Sequence, residues 1–153
     1  MTLGIIACSS DDNKQSNEFE IVTLEINTIV NSYMSGAGQE NIGQENKVVT
    51  DLTELEALID RIDYIKYGND TIVELLENAD IDFEREMIIA VFDEVKNHGG
   101  YSIDITKVEE HEKEILVTIE RLHRGDLTAH FTQPLHIVKI SKINKPVVFV
   151  EID

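Results

Sequence analysis

The sequence predicts an α+β domain in which one or two helices from the N-terminal half precede a strand-rich C-terminal half. After Asp51, apolar side chains recur at helical spacing; they are Leu52, Leu55, Leu58, Ile59 and Ile62. From Met87 onward, apolar residues instead alternate with polar ones or form runs of strand length. Strands that follow one another closely pair antiparallel, because a parallel return needs a crossover of about a dozen residues. We therefore expect an antiparallel β-meander in the C-terminal half.

The N-terminal half contains signals for both strands and helices. Asp51 followed by Glu54 is typical of a helix N-terminus, and Asn69 or Asp70 is positioned to cap a second, shorter helix. Alternation with many β-branched residues predicts one strand before the helices. In order, we expect a strand at Glu18–Asn31, a loop at Tyr33–Asn46, a short strand at Lys47–Thr50, and then the helices.

The C-terminal half divides into five short strand predictions separated by turn residues. Gly99-Gly100, the polar stretch Glu109–Lys113 and Asn144-Lys145-Pro146 are the clearest turns. The predicted strands are Met87–Phe92, Tyr101–Val108, Glu114–Leu122, Pro134–Ile140 and Val147–Ile152.

Charge and composition exclude several classes of function. The chain has 153 residues, and 13 Lys+Arg against 30 Asp+Glu give a net charge of −17. Such a surface repels phosphate backbones, so we expect no nucleic-acid partner. The single cysteine, Cys8, excludes an internal disulfide. We expect a single domain over residues 19–153.

The first residues resemble a bacterial lipobox. Ile5, Ile6 and the small Ala7 precede Cys8, and a polar stretch follows at once. In this interpretation residues 1–7 are a truncated signal segment, Cys8 is the lipid-attachment residue, and residues 8–18 are a flexible polar tether. Two acyl chains on one thiol would make a durable membrane anchor. The alternative is that Cys8 is an ordinary thiol in a disordered tail, since no basic residue precedes it.

Chemistry-bearing residues form no recognisable catalytic set. His123, His130 and His136 could converge on neighbouring strands as metal ligands, but a solvated surface histidine is the commoner role for the first two. We therefore predict no metal site, no catalytic residue and no cofactor. A hydrolase that uses carboxylates with His98 or His136 as its base is the least favoured hypothesis.

The pattern Gly99-Gly100-Tyr101 and the later Pro134 favour a structural role. One glycine of the pair would admit a bulge or a positive φ at a strand entrance, after which Tyr101 packs against a face. Pro134 suits a strand start or a sheet edge, where its missing N–H costs nothing. Direct partner contact is the alternative for the glycine pair, and strand addition at an exposed sheet edge would be the simplest docking mode.

These motifs, in order, resemble the protease-complex subunit PrcB family, especially its C-terminal domain. The resemblance covers residues 81–152 and rests on Ile81-Asp-Phe83, Met87–Phe92, Gly99-Gly-Tyr-Ser-Ile103, Ile115–Ile119 and Thr132-Gln-Pro-Leu-His-Ile-Val-Lys-Ile140. Family members are typically bacterial lipoproteins or secreted proteins, and the family is named for a subunit that stabilises a surface protease complex. The resemblance implies no catalytic residues.

Two main hypotheses about function follow. The first is a non-enzymatic lipoprotein of the bacterial cell envelope, outer membrane or cell surface, which binds a protein partner such as a protease as an accessory or stabilising subunit. The alternative is a lipoprotein module that binds a small ligand, a peptide or a metal. Oligomeric state is left open by the sequence.

Overall fold

The computed structural model describes residues 18–66 and 68–153. Cys8, the predicted signal segment and almost all of the predicted tether lie outside the described residues. No helix within the described ranges is long and apolar enough to span a membrane. In chain order the described elements are β1 (Val22–Thr23), β2 (Asn27–Met34), β3 (Glu45–Val49), α1 (Leu52–Ile62), α2 (Asp70–Glu77), β4 (Glu86–Phe92), β5 (Asp104–Glu110), β6 (Ile115–Glu120), β7 (Gln133–Ser141) and β8 (Val147–Glu151).

The strands form two four-stranded sheets, and the predicted α+β class is confirmed. The first sheet has the order β1-β5-β6-β8 and the second has the order β2-β7-β4-β3. Every pairing is antiparallel except that between β6 and β8, which is parallel. Both helices come from the N-terminal half, as predicted.

The C-terminal strands do not form the continuous meander that we expected. Only β5 and β6 make a hairpin within the first sheet, while β4 and β7 pair with each other in the second sheet. The chain therefore leaves the first sheet after β6, passes through β7 in the second sheet, and returns as β8. This excursion is long enough to act as a crossover, which is why β8 lies parallel to β6.

The predicted first strand is divided between the two sheets. Within Glu18–Asn31, β1 pairs with β5 in the first sheet, whereas β2 pairs with β7 in the second. The chain changes sheets between Thr23 and Asn27. Alternation of side chains continues through such a corner, so periodicity alone cannot reveal the change of partner.

Helix α1 begins where the sequence predicts. The Asp51 carboxylate accepts a hydrogen bond from the Glu54 N–H at 2.9 Å, and Glu54 accepts in turn from the Thr50 N–H at 2.8 Å. These bonds satisfy donors that have no partner inside the helix. Asn69 occupies the cap position of α2, but its side chain bonds elsewhere: its amide donates to the Ile62 carbonyl and to the buried Glu40 carboxylate.

The second sheet is buried on both faces and forms the middle layer of the domain. One of its faces packs against the helices through Ile88, Ala90 and Phe92, and the other packs against the first sheet through Met87, Ile89 and Val91. A strand covered on both faces needs apolar side chains on both, which explains the unbroken apolar run of β4. The two apolar layers together form the core.

Candidate functional site

A loop cluster formed by residues 96–102 and 121–132 stands out beside the sheets. Its two segments run antiparallel outside the regular strands, with an isolated bridge between Tyr101 and Arg124. The Gly99 N–H donates to the Thr128 carbonyl at 3.0 Å, and the Gly125 N–H donates to the Gly100 carbonyl at 3.0 Å. These backbone hydrogen bonds hold the two segments together, although neither segment belongs to a helix or a regular strand.

Three of the motif residues predicted from sequence lie together in this cluster. Gly100 has a φ of +73°, and a Cβ placed on it would lie 2.9 Å from the Cβ of Asp126. Gly125 has a φ of +96°, and a Cβ placed on it would lie 2.5 Å from the ring of Tyr101. Tyr101 also lies under the Lys96 ammonium group, 5.4 Å from the ring centroid. Glycine is thus required on both sides of the cluster.

Pro134 does not join the loop cluster. It is the second residue of β7, where it faces Tyr33 of β2 in register. Because β7 lies between β2 and β4, Pro134 is at a strand start but not at a sheet edge. Its carbonyl accepts from the Asp93 N–H at 2.9 Å.

Replacing Gly100 with alanine should destabilise the domain by about 1–3 kcal/mol, because alanine tolerates a positive φ poorly and its Cβ would meet the Cβ of Asp126. Gly99→Ala is the matched control, since Gly99 lacks a positive φ and its added Cβ would meet the movable imidazole of His130 at 2.9 Å and make ordinary contacts with Asp126 and Thr128 at 3.4 Å. Urea unfolding of both variants measures the difference. Equal losses would contradict the role assigned to Gly100.

The surface of the loop cluster differs from the rest of this acidic chain. Three large apolar side chains are exposed here: Leu122 at 60%, Leu127 at 99% and Phe131 at 54%. Its charged and titratable side chains are mostly basic, with Asp126 the one acid in the two segments; the others are Lys96, His98, Arg121, His123, Arg124 and His130. Exposed apolar side chains in the same segments as an exposed arginine, Arg124, are typical of a protein-binding site.

A buried ion network supports the loop cluster from below. Asp93 follows β4 directly, and its side chain is 1% exposed. Arg121 donates two hydrogen bonds to its carboxylate, both at 3.0 Å, and a third to Glu151 of β8 at 2.9 Å. Lys96 lies 3.3 Å from the same carboxylate. Burial raises the pKa of Asp93, but the bonds from Arg121 and the Glu94 N–H outweigh it and hold that pKa below its usual value.

Ser102, Asp104 and His136 come near one another, but not in the order that nucleophilic catalysis needs. The Ser102 hydroxyl donates to Asp104, not to the histidine. His136 accepts from the Ile105 N–H at Nδ1, 2.9 Å away, so its proton is on Nε2, which lies 3.0 Å from Thr28 Oγ1. Both ring nitrogens therefore form hydrogen bonds within the protein. The bond from the Ile105 N–H to His136 connects the first sheet to the second.

The three histidines considered as metal ligands take different environments. His136 is 5% exposed between the sheets, while His123 and His130 are exposed on the loop cluster. Across residues 18–66 and 68–153, no group of three or more His, Cys, Asp or Glu side chains is arranged to hold a metal ion.

His136 should make stability depend on pH. Burial lowers its pKa, and the Asp104 carboxylate only partly opposes this. Below about pH 6.5 the His136 side chain of the unfolded chain therefore binds a proton, whereas that of the folded chain does not. The free energy of unfolding consequently decreases as the pH falls from about 6.5 toward the lower pKa of the folded state.

His136→Asn keeps an acceptor for Ile105 but cannot titrate, so its free energy of unfolding should fall less between pH 7.5 and pH 5 than that of the unchanged protein. His123→Asn, at an exposed site, is the control; an unchanged slope in His136→Asn would contradict the assignment.

Sequence reasoning missed the buried acids. Asp104 lies in the predicted strand Tyr101–Val108 as its one acidic residue, yet it is 7% exposed and accepts from the Asn31 amide and the Leu122 N–H. The burial of Asp93 has one signal in the sequence, because an acid that directly follows the apolar run of a buried strand lies close to the core. Its partner Arg121 could not be identified from sequence, since no local spacing links the two.

Comparison with known proteins finds one family match, over part of the chain. Residues 87–141 match the family model described as PrcB C-terminal, which confirms the resemblance seen in the sequence. The matched range runs from β4 through β7 and includes the whole loop cluster. Neither a curated protein nor a solved structure matches the chain.

Proposed function

We propose that this protein is a non-enzymatic accessory subunit that binds a partner within a protease complex through the loop cluster. The match to the PrcB C-terminal domain over residues 87–141 supports association with such a complex. The observation that carries the proposal is that the fully exposed Leu127 lies inside this range, in the same segment as the exposed Arg124. A pocket of about 200 Å³ beside Tyr101 and Arg124 is smaller than the roughly 300–1,000 Å³ of small-ligand sites, which favours a protein partner over the small-ligand alternative.

The chemistry of the loop cluster defines the surface it would fit. Leu127, at 99% exposure, has the position of an anchor that enters an apolar pocket of the partner, while Leu122 and Phe131 widen the contact. Arg124 would pair with carboxylates around that pocket, because guanidinium groups bind carboxylates with two parallel hydrogen bonds. The backbone bonds that hold the loop cluster reduce the ordering cost of binding.

A single substitution tests the docking surface. The protein is crosslinked in its native envelope, the partner is identified by mass spectrometry, and the affinity of the purified pair is then measured. Leu127→Asp should weaken binding at least about thirtyfold, the loss expected of a hot-spot anchor. Leu75→Asp, at a 44% exposed leucine on α2, is the matched control and should bind normally. A Leu127→Asp variant that binds like the unchanged protein, or a partner outside any protease complex, would contradict the proposal.

We further propose that Cys8 is lipid-modified and holds the domain at the bacterial cell envelope, at the outer membrane or cell surface. The support is the sequence Ile5-Ile6-Ala7-Cys8 and the polar stretch that follows. The intact mass of the protein from its native locus tests this: a chain that begins at Cys8 with added acyl mass is expected. An unmodified chain that retains Met1 would refute the anchor and leave the docking proposal standing.

A further inference from the structure

An apolar groove lies between the two helices and the segment that leads into β4. It has a volume of about 430 Å³, and its lining includes the floor residues Leu55 and Leu76. The lining also includes Leu52, which is 58% exposed, and the partly buried Ile81 and Phe83. This volume is within the range of sites that accept a few large side chains.

The rim of the groove is entirely acidic. Glu56 and Asp60 follow one another on the same face of α1, and Glu77 ends α2 on the other side. None of these three carboxylates forms an ion pair with the described residues. No Lys or Arg side chain of the described chain lines the groove. An apolar floor between unpaired carboxylates is complementary to apolar side chains flanked by cations.

We propose that this groove binds a basic amphipathic segment of a partner protein, with one or two large apolar side chains on the groove floor and Lys or Arg side chains paired with Glu56, Asp60 and Glu77. The groove lies outside the matched range 87–141, and its chemistry is the opposite of that of the basic loop cluster. The protein then has two docking surfaces of complementary character, and the second is independent of the proposed protease-complex contact.

The probe is a short synthetic peptide with leucine at positions i and i+3 and lysine at the flanking positions. Its binding is measured by fluorescence anisotropy, and the contacted residues are mapped by amide chemical shifts of the full-length protein. We expect shifts concentrated in α1, α2 and residues 79–83. Leu52→Ser should weaken binding about fivefold or more, whereas Leu75→Ser, an exposed leucine of α2 that does not line the groove, should leave it unchanged.

Two variants with the same charge change distinguish peptide binding in the groove from general electrostatic attraction between a basic peptide and an acidic protein. Glu56→Lys should weaken the peptide at least about tenfold, while Glu112→Lys, the same charge change on the exposed β5–β6 turn, should have little effect. Leu127→Asp in the loop cluster should leave peptide binding unchanged. Equal losses in Glu56→Lys and Glu112→Lys, equal losses in the two serine variants, or shifts centred on the loop cluster would each overturn the proposal.

Discussion

Arg121→Ala is expected to lower the free energy of unfolding by about 3–5 kcal/mol, the cost of leaving a buried charge without its partner. The Asp93 carboxylate is 1% exposed and loses both 3.0 Å hydrogen bonds from the guanidinium group. Lys96 remains 3.3 Å away, but a single ammonium group cannot replace the two-bond geometry. Urea denaturation at neutral pH measures the loss.

Two further variants test whether the buried bonds between Arg121 and Asp93 account for the loss of stability in Arg121→Ala. Glu151→Gln removes only the negative charge from the 2.9 Å contact on the outer side of Arg121, where Glu151 is 43% exposed, and should cost less than about 1 kcal/mol. Asp93→Asn combined with Arg121→Ala should recover part of the loss, because no uncompensated charge remains. An Arg121→Ala variant no less stable than Glu151→Gln would refute the assigned role.

Phe92→Ala is expected to cost about 3–5 kcal/mol, because it removes a large aromatic side chain from the layer between the second sheet and the helices. Phe92 is fully buried at the end of β4, where it faces Glu45 of β3 and Leu135 of β7 in register. The strands on both sides are hydrogen-bonded to β4, so the cavity cannot close easily. Thermal unfolding followed by circular dichroism gives the change.

Phe131→Ala provides the matched comparison for Phe92. The same atoms are removed from a side chain that is 54% exposed, so stability should change by less than about 0.5 kcal/mol. Phe92→Leu should cost clearly less than Phe92→Ala, because leucine refills most of the space. Equal stability of Phe92→Ala and Phe131→Ala would contradict the burial of Phe92 in the core.

The candidate site was predictable only in part. The Gly99-Gly100-Tyr101 pattern marks one side of the loop cluster, because glycine pairs before a strand indicate unusual backbone geometry. The opposing segment carries Gly125 and the exposed Leu127, and neither has a local signal that links it to Tyr101. Contacts between these segments depend on how β5 and β6 place their ends, which is a property of the sheet.

Local patterns in the sequence determined the helices, the lengths of most strands and the α+β class. The Asp51–Glu54 cap and the unbroken run of β4 illustrate why: capping bonds and side-chain periodicity involve residues only a few positions apart. Tertiary structure alone decided that β1 and β2 enter different sheets, that β8 lies parallel to β6, and that Asp93 meets Arg121. The physical reason is that an alternating strand offers the same backbone donors and acceptors to any neighbour, so its partner is selected by packing of the whole domain.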